Sequence, residues 1–423
     1  MSSIYDYEGN VIGVTPQMIE PQGNDIPIVT ITGNLPATKT EGEINVILTY
    51  HSLSDEFSSY ATVKVQGDSS QAYPKKNFTI KLFSNEFRSV KLKKQFRDWD
   101  KERNKFVLKA NWIDHSHARN IVNARIWSQI VKSRSDYDSL PTALTSGNLA
   151  VDGFPVKVFN NGVYMGLYTW NLPKDALYGL DDSLDTNAIV QGDSGTYSGS
   201  ILWRASSNSD GKWSDETHDT MPTAITNGFN TLLDFVFTST DANFVANFAT
   251  HFDKQSIIDQ YIFLIVGCIV DNIGKNQTFF TYDAQKWYGG MYDMDGTWGL
   301  PPVPSGSTWK SATTAWQSGY TAVAESGGIT NLLYERFGSL FASDIQTRYT
   351  ALRAGVLSAD NINAMFEEFM QTIPLSLYAE DYAPTTGGGN FINIPLKDTN
   401  NVQQIRQFVI DRLAYADSLI LGS

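Results

Sequence analysis

Asp271-Asn272-Ile273-Gly274-Lys275-Asn276, followed by Met291-Tyr292-Asp293-Met294-Asp295-Gly296-Thr297-Trp298-Gly299, are the stretches on which the reading of this chain turns. Phosphoryl transfer asks for hard oxygen ligands that hold Mg against a phosphate tail, and for one carboxylate within reach of the attacking hydroxyl. An Asp, an Asn five positions on and an Asp on a Gly-bearing turn about 17 residues later supply those groups in the order such sites use. The same residue types cap helices and build turns for purely local reasons. A cap at Asp271-Asn272 and a plain turn from Asp293 to Gly296 therefore stands as the competing reading. A calcium-binding EF-hand loop does not fit, because Gly296 sits at the wrong offset and Pro304 takes the place of the closing Glu.

Working outward, 423 residues exceed one ordinary core, so two lobes or domains are expected. A hydrophobic content of 42 % with 13 % aromatics supports packed cores rather than a disordered chain. The net charge of −13 argues against a nucleic-acid backbone or an anionic membrane as the main partner. The start, Met1-Ser2-Ser3-Ile4-Tyr5-Asp6-Tyr7-Glu8, lacks a basic region leading into an apolar one, so no signal peptide is expected. The apolar run from Tyr261 to Val270 is about half of what a membrane span needs, so a soluble protein is expected. The single cysteine, Cys268, lies inside that run, which excludes an internal disulfide and favours a buried, inert thiol. His115 and His117, two apart, point to different faces of a helix and make a poor metal pair.

Residues 1–25 carry no sustained period and read as an N-terminal arm that docks on a partner. Residues 26–172 read as a β-rich first lobe, with strands at 26–32, 43–50, 58–65 and 77–83. Pro27 points to an edge position for the first strand. A helix is expected from about Ser116 to Val131, capped by Asp114 or Ser116. Phe154 to Phe159 and Met165 to Trp170 alternate about Asn160-Asn161-Gly162, a strong hairpin signal. From 173 to 423 helical periods dominate, at 223–237, 241–252, 256–270, 329–341, 343–356 and 402–421, with a short strand pair at 277–282 and 286–292. The fold class is thus α+β, a β-rich half joined to a mainly helical one. Gly67-Asp68-Ser69-Ser70 before the strand Phe78-Thr79-Ile80-Lys81 is a small-residue turn that suits covering phosphates while a strand lysine reaches them, and it equally suits an ordinary hairpin.

Several segments together resemble the spore coat protein H (CotH) kinase family. They are Gln66-Gly67-Asp68-Ser69-Ser70 with Tyr73-Pro74-Lys75-Lys76-Asn77-Phe78-Thr79-Ile80-Lys81, and Leu108-Lys109-Ala110-Asn111-Trp112-Ile113-Asp114-His115-Ser116 with Ala118-Arg119-Asn120. Asn161-Gly162-Val163-Tyr164-Met165-Gly166-Leu167-Tyr168, the Asp271 to Asn276 loop, Tyr292 to Gly299 and Phe408-Val409-Ile410-Asp411-Arg412 complete the set. The resemblance runs from about 26 to 420 and implies an atypical, two-lobed protein-kinase-like fold using ATP with Mg or Mn. The wording is most similar to CotH-like structural proteins of phages. By position it implies Asp271 as the catalytic-loop Asp, Asn276 with Asp293 or Asp295 as metal ligands, and Lys76 or Lys81, with Ser69, Ser70 and Arg119, as phosphate or nucleotide contacts. Arg119 equally suits a structural ion pair. Three departures stand out: Gln66 replaces a family Arg, Asn171-Leu172-Pro173 replaces a Glu in the hinge-like strand, and the helix at 116–131 contains no Glu to pair with a strand lysine.

Two functions follow from the resemblance. One is a Mg-ATP-dependent kinase acting on Ser or Thr of a neighbouring virion or coat structural protein, within a phage tail, baseplate or surface component made in the host cytoplasm. The other is a non-catalytic scaffold or host-adsorption protein whose Ser/Gly-rich loops at 192–212, 304–328 and 383–390 dock partners or cell-surface saccharide. A calcium-stabilised lectin-like module rests only on acidic loops and aromatics.

Overall fold

Strand alternation in the first 172 residues builds a closed seven-stranded barrel. The structure, a computed structural model, describes residues 3–5, 11–14, 26–67, 69–192, 202–300, 311–313, 331–382 and 402–422. β1 (Ser3–Tyr5) and β2 (Val11–Val14) pair with each other, and they are all that is described of the arm expected over 1–25. The barrel strands are β3 (Ile28–Thr32), β4 (Ile44–His51), β5 (Glu56–Gln66), β6 (Asn77–Phe83), β7 (Lys105–Lys109), β8 (Gly153–Asn160) and β9 (Val163–Asn171). Their order is β3-β4-β5-β6-β7-β9-β8. Along β6 the period of two sends Phe78, Ile80 and Leu82 into the barrel and leaves Thr79 and Lys81 on the outer face. The β8–β9 hairpin turns at Asn161 and Gly162, both at positive φ (49° and 81°), as its Asn-Gly sequence requires.

Barrel closure corrects one expectation. β3 is not an edge: it pairs antiparallel with β4 and parallel with β8, from Ile28 opposite Lys157 to Ile31 opposite Asn160. Pro27 stands just before the first ladder residue, so its missing N–H costs no strand hydrogen bond, and its carbonyl accepts from Lys157 N at 2.9 Å.

The second half has its own antiparallel sheet, β10 (Ala188–Gly192), β11 (Trp213–Asp215), β12 (Thr278–Thr281) and β13 (Trp287–Gly290), in the order β11-β10-β12-β13. Its helices, after α1 (Arg119–Lys132) and the short α2 (Thr142–Ser146), are α3 (Thr223–Thr238), α4 (Asp241–His251), α5 (Lys254–Gly267), α6 (Leu332–Leu340), α7 (Ala342–Arg353), α8 (Ala359–Gln371), α9 (Leu375–Tyr382) and α10 (Val402–Leu421). α5 is buried nearly all round, with Ser256, Asp259 and Gln260 buried among its apolar residues, and packs on α1, α7, α10 and β13. The Asp253 side chain caps it, accepting from Ser256 N at 2.8 Å, so it starts two residues before the expected Ser256.

Among the described residues two large apolar cores result, beside a small cluster of Trp112, Ile113 and Leu300. One fills the barrel around Leu48, Val63, Ile80, Phe106 and Trp170. The other gathers α5, the later helices and the second sheet, and it also takes Ile121, Ile126, Trp127 and Ile130 of α1. α1 therefore lies between β7 and β8 in sequence yet packs with the second half. Among the described residues no helix is long and apolar enough to cross a membrane. The Ser/Gly-rich loops expected to make docking contacts fall largely outside the described residues.

Candidate functional site

The turn after β5 forms one wall of a cavity of about 650 Å³. Gly67 has φ +106° there, and a Cβ would lie 1.9 Å from Ser70 Oγ, so the tight reversal needs glycine. Lys76 Nζ closes the turn by donating to the carbonyls of Gln71 and Tyr73, both at 2.5 Å. On β7 the alternation puts Lys105, Val107 and Lys109 along the cavity, and Lys109, at the strand end, reaches across to Asp293 Oδ1 at 2.8 Å.

The facing wall carries Asp271, Lys275, Asn276, Tyr292, Asp293 and Asp295. Asn276 and Asp293 both sit in the left-handed region (φ 66° and 56°), which Asn and Asp tolerate better than most residues. Buried amides of α1 hold the Asp293 loop in that shape. Asn120 Oδ1 accepts from Met294 N at 3.1 Å, and Asn123 Nδ2 donates to Met294 O at 2.9 Å while its Oδ1 accepts from Trp298 Nε1 at 2.7 Å. The Asp271 loop is fixed by a linear chain of polar contacts. Asn276 Nδ2 donates to Asp271 Oδ2 at 2.8 Å, Gln191 Nε2 donates to Asn276 Oδ1 at 3.2 Å, and Lys174 Nζ donates to Gln191 Oε1 at 2.6 Å. Lys174 also pairs with Glu216 at 2.9 Å and lies 4.4 Å from the centroid of the Tyr292 ring.

Six lysines and five carboxylates line this cavity, so its charges nearly balance in a chain of net charge −13. Burial disfavours the charge on Lys109, but the carboxylates of Asp293 and Asp295 override it and hold its pKa above the usual lysine value. Burial also pushes against ionised Asp293, and Lys109 reverses that, keeping Asp293 below the ordinary carboxylate range. Asp295 is left with burial and the Asp293 charge beside it, which raise it to about 7. Two carboxylates two residues apart with one lysine between them is a donor set short of positive charge. The donor chemistry is that of a hard divalent cation's ligands, and Asp293 and Asp295 are the oxygens that would hold one. Among the described residues there is no group of three or more His, Cys, Asp or Glu arranged as a metal site. Any cation here would complete its shell with the Asn amide, water or ligand oxygens.

Residues 63–416 match the family of the CotH kinase protein. The chain belongs to the CotH kinase family. No curated protein matches the chain. The CotH match begins in β5 and ends in α10, so it covers both walls of the cavity described above.

Within this CotH chain the structure brings Ser70, Asp271, Asn276, Asp293 and Asp295 into the cavity, and it leaves three expected contacts outside. Lys81 pairs with Glu43 Oε1 at 2.5 Å on the barrel's outer face, because it lies four residues past Asn77, away from the turn. Lys76 is used up on the turn carbonyls. Arg119 is fully buried in an ion pair with Asp114 at 2.7 Å and donates to Thr297 O at 3.0 Å and Gln404 Oε1 at 2.8 Å, tying α1 to the Asp293 loop and α10. Ser69 stands in a 3-10 turn, Ser69–Ala72, and its side chain is outside the described residues, as is Asp68. Lys109, Lys174, Gln191 and Glu216 were not anticipated. For Lys109 a signal existed: Lys105, Val107 and Lys109 alternate beside Phe106 and Leu108, the pattern of a strand with one polar-edged face.

Proposed function

We propose that this chain is an atypical kinase-like protein whose barrel serves as a first lobe and whose helices and second sheet serve as a second. It transfers phosphate from ATP, with Mg or Mn, to Ser or Thr of a neighbouring structural protein. The observation that carries this reading is the Lys109–Asp293 pair at 2.8 Å, set in one cavity with Asp295, Asn276 and Asp271 under the Gly67 turn. Asp293 and Asp295 would hold the metal, whose charge draws phosphate oxygens to an otherwise acidic wall. Lys109 offers its ammonium to the same phosphates. Asp271, oriented by Asn276, handles the acceptor hydroxyl proton. Tyr73 and Trp112, with ring centroids 6.3 Å apart, add an aromatic corner of the cavity on which a base can stack.

The setting proposed is a phage virion, as a tail, baseplate or surface component made in the host cytoplasm and contacting other virion or coat structural proteins. Its support is the wording of the CotH-like segments. A non-catalytic scaffold, docking partners or host saccharide, is the second reading, and one observation favours it: Asp293 already has a charged partner within the chain, Lys109 at 2.8 Å.

Incubating the chain with labelled ATP, Mg or Mn and cognate virion proteins tests catalysis. The kinase reading expects transfer by the wild type, with Asp271→Asn sparing nucleotide binding but abolishing transfer, and Asp293→Ala losing both. No transfer and no nucleotide binding by the wild type leaves the scaffold.

A further inference from the structure

Behind the cavity lies a buried charged cluster that the site chemistry does not use. Asp381, near the end of α9, is 6 % exposed at its side chain, Lys75 9 % and His117 1 %. Three elements far apart in sequence donate to the one carboxylate. Lys75 Nζ approaches Oδ1 at 2.8 Å, Leu167 N of β9 reaches Oδ1 at 2.7 Å, and His117 Nε2 meets Oδ2 at 3.1 Å. Space there is tight: at Gly166, φ +114°, a Cβ would lie 2.5 Å from Asp381 Oδ1 and 3.1 Å from Lys75 Cε.

Both arms of this cluster end at the cavity. Lys75 follows the Gly67 turn and lines the cavity, but its ammonium is engaged by Asp381 and the Leu167 carbonyl and lies 4.6 Å from the Tyr168 ring centroid. It thus anchors the turn rather than serving a ligand. On the other arm, Asn111 Nδ2 lies 3.1 Å from His117 Nδ1, 3.0 Å from Thr169 Oγ1 and 3.4 Å from Lys109 O, so its two hydrogens serve the two nearer atoms and the longest contact shares one of them. The acceptor-only carbonyl of Lys109 identifies that atom as the amide nitrogen. His117 Nδ1 must then accept, so Nε2 carries the proton and donates to Asp381. Asn111 itself lines the cavity at φ 49°, two residues beyond Lys109.

We propose that Asp381 is a positioning residue for the cavity: through Lys75 it fixes the turn after β5, and through His117 and Asn111 it fixes the end of β7 that carries Lys109. α9, outside every motif of the site, is thereby part of its support. Both oxygens must accept, which an aspartate does and an asparagine does not. The role rests on the nucleotide reading given above.

The test is a calorimetric titration of the full chain with ATP in the presence of Mg, on wild type, Asp381→Asn and Asp381→Glu, each first verified as folded by circular dichroism. Folded Asp381→Asn should bind about tenfold or more weakly, as loss of a supporting partner typically does, and Asp381→Glu, which keeps the charge, should recover part of that loss. A merely structural role lowers the melting temperature and leaves the affinity of the folded protein unchanged, and that result overturns the proposal while sparing the nucleotide reading. If Asp381→Asn does not fold, Asp381→Glu decides alone: weaker binding than wild type supports the proposal and equal binding overturns it. Absence of binding by the wild type itself overturns the nucleotide reading and the positioning role with it.

Discussion

Replacing Lys109 by Met removes the cation that lies 2.8 Å from Asp293 and leaves Asp293 and Asp295 facing each other in the cavity. Lys109 keeps only 13 % of its side chain exposed, so this is a pair removed largely from water. Breaking a buried pair from one side costs about 3 to 5 kcal/mol. Asp293 retains 30 % exposure toward the cavity, which places the expected loss at the low end, about 3 kcal/mol. A divalent cation can replace the missing charge. At a hundredfold excess over its dissociation constant, Mg should return about 2.7 kcal/mol by mass action. The assay is urea unfolding followed by circular dichroism, in EDTA and in Mg, for wild type and Lys109→Met. A loss in EDTA below about 1 kcal/mol would mean that the pair behaves as an ordinary surface contact. Absence of any Mg stabilisation in Lys109→Met would refute the claim that the two carboxylates form the cation site.

Three further outcomes follow from the same structure. Lys81→Met should leave nucleotide binding unchanged and cost less than about 1 kcal/mol in unfolding experiments, because its pair with Glu43 is 38 % and 37 % exposed and outside the cavity. Gly67→Ala should weaken nucleotide binding measured by calorimetry, because its Cβ would collide with Ser70 Oγ at a φ that alanine rarely adopts. His115 is buried, and burial with the neighbouring His117 lowers its pKa from 6.5 to about 4. The unfolded chain therefore binds the extra proton between those values. Stability is full above pH 6.5 and falls as pH drops toward 4, by up to about 3 kcal/mol. His115→Gln should flatten that slope in urea midpoints measured across the range, and an unchanged slope would sink the assignment.

The local elements were legible where one face alternates or repeats cleanly. β6 and α10 appear at the expected residues, and the Asn160-Asn161-Gly162 hairpin forms as its turn chemistry demands. Barrel closure was not legible, because the β3–β8 ladder joins residues such as Ile28 and Lys157 that no local pattern connects. Nor was the packing of α1 on the second core, since an apolar face shows that a helix is covered without saying by what. At the site, the acidic positions could be read from order and spacing, whereas the lysine could not be chosen. Lys75 and Lys76 precede a strand while Lys81 and Lys109 lie in strands, and only the register of β6 against β7, with Lys81 opposite Lys105, shows which one ends beside the turn. Asp381 carries no sequence signal at all; its role depends on contacts to Lys75, His117 and Leu167 from three distant elements.

The central claim, that the cavity holding Lys109, Asp271, Asn276, Asp293 and Asp295 takes a metal-bound nucleotide, is met most directly by calorimetric titration of the chain with ATP, with and without Mg. The prediction is saturable binding that requires Mg and disappears in Asp293→Ala. Absence of binding by the folded wild type at ATP and Mg concentrations in the millimolar range would contradict it.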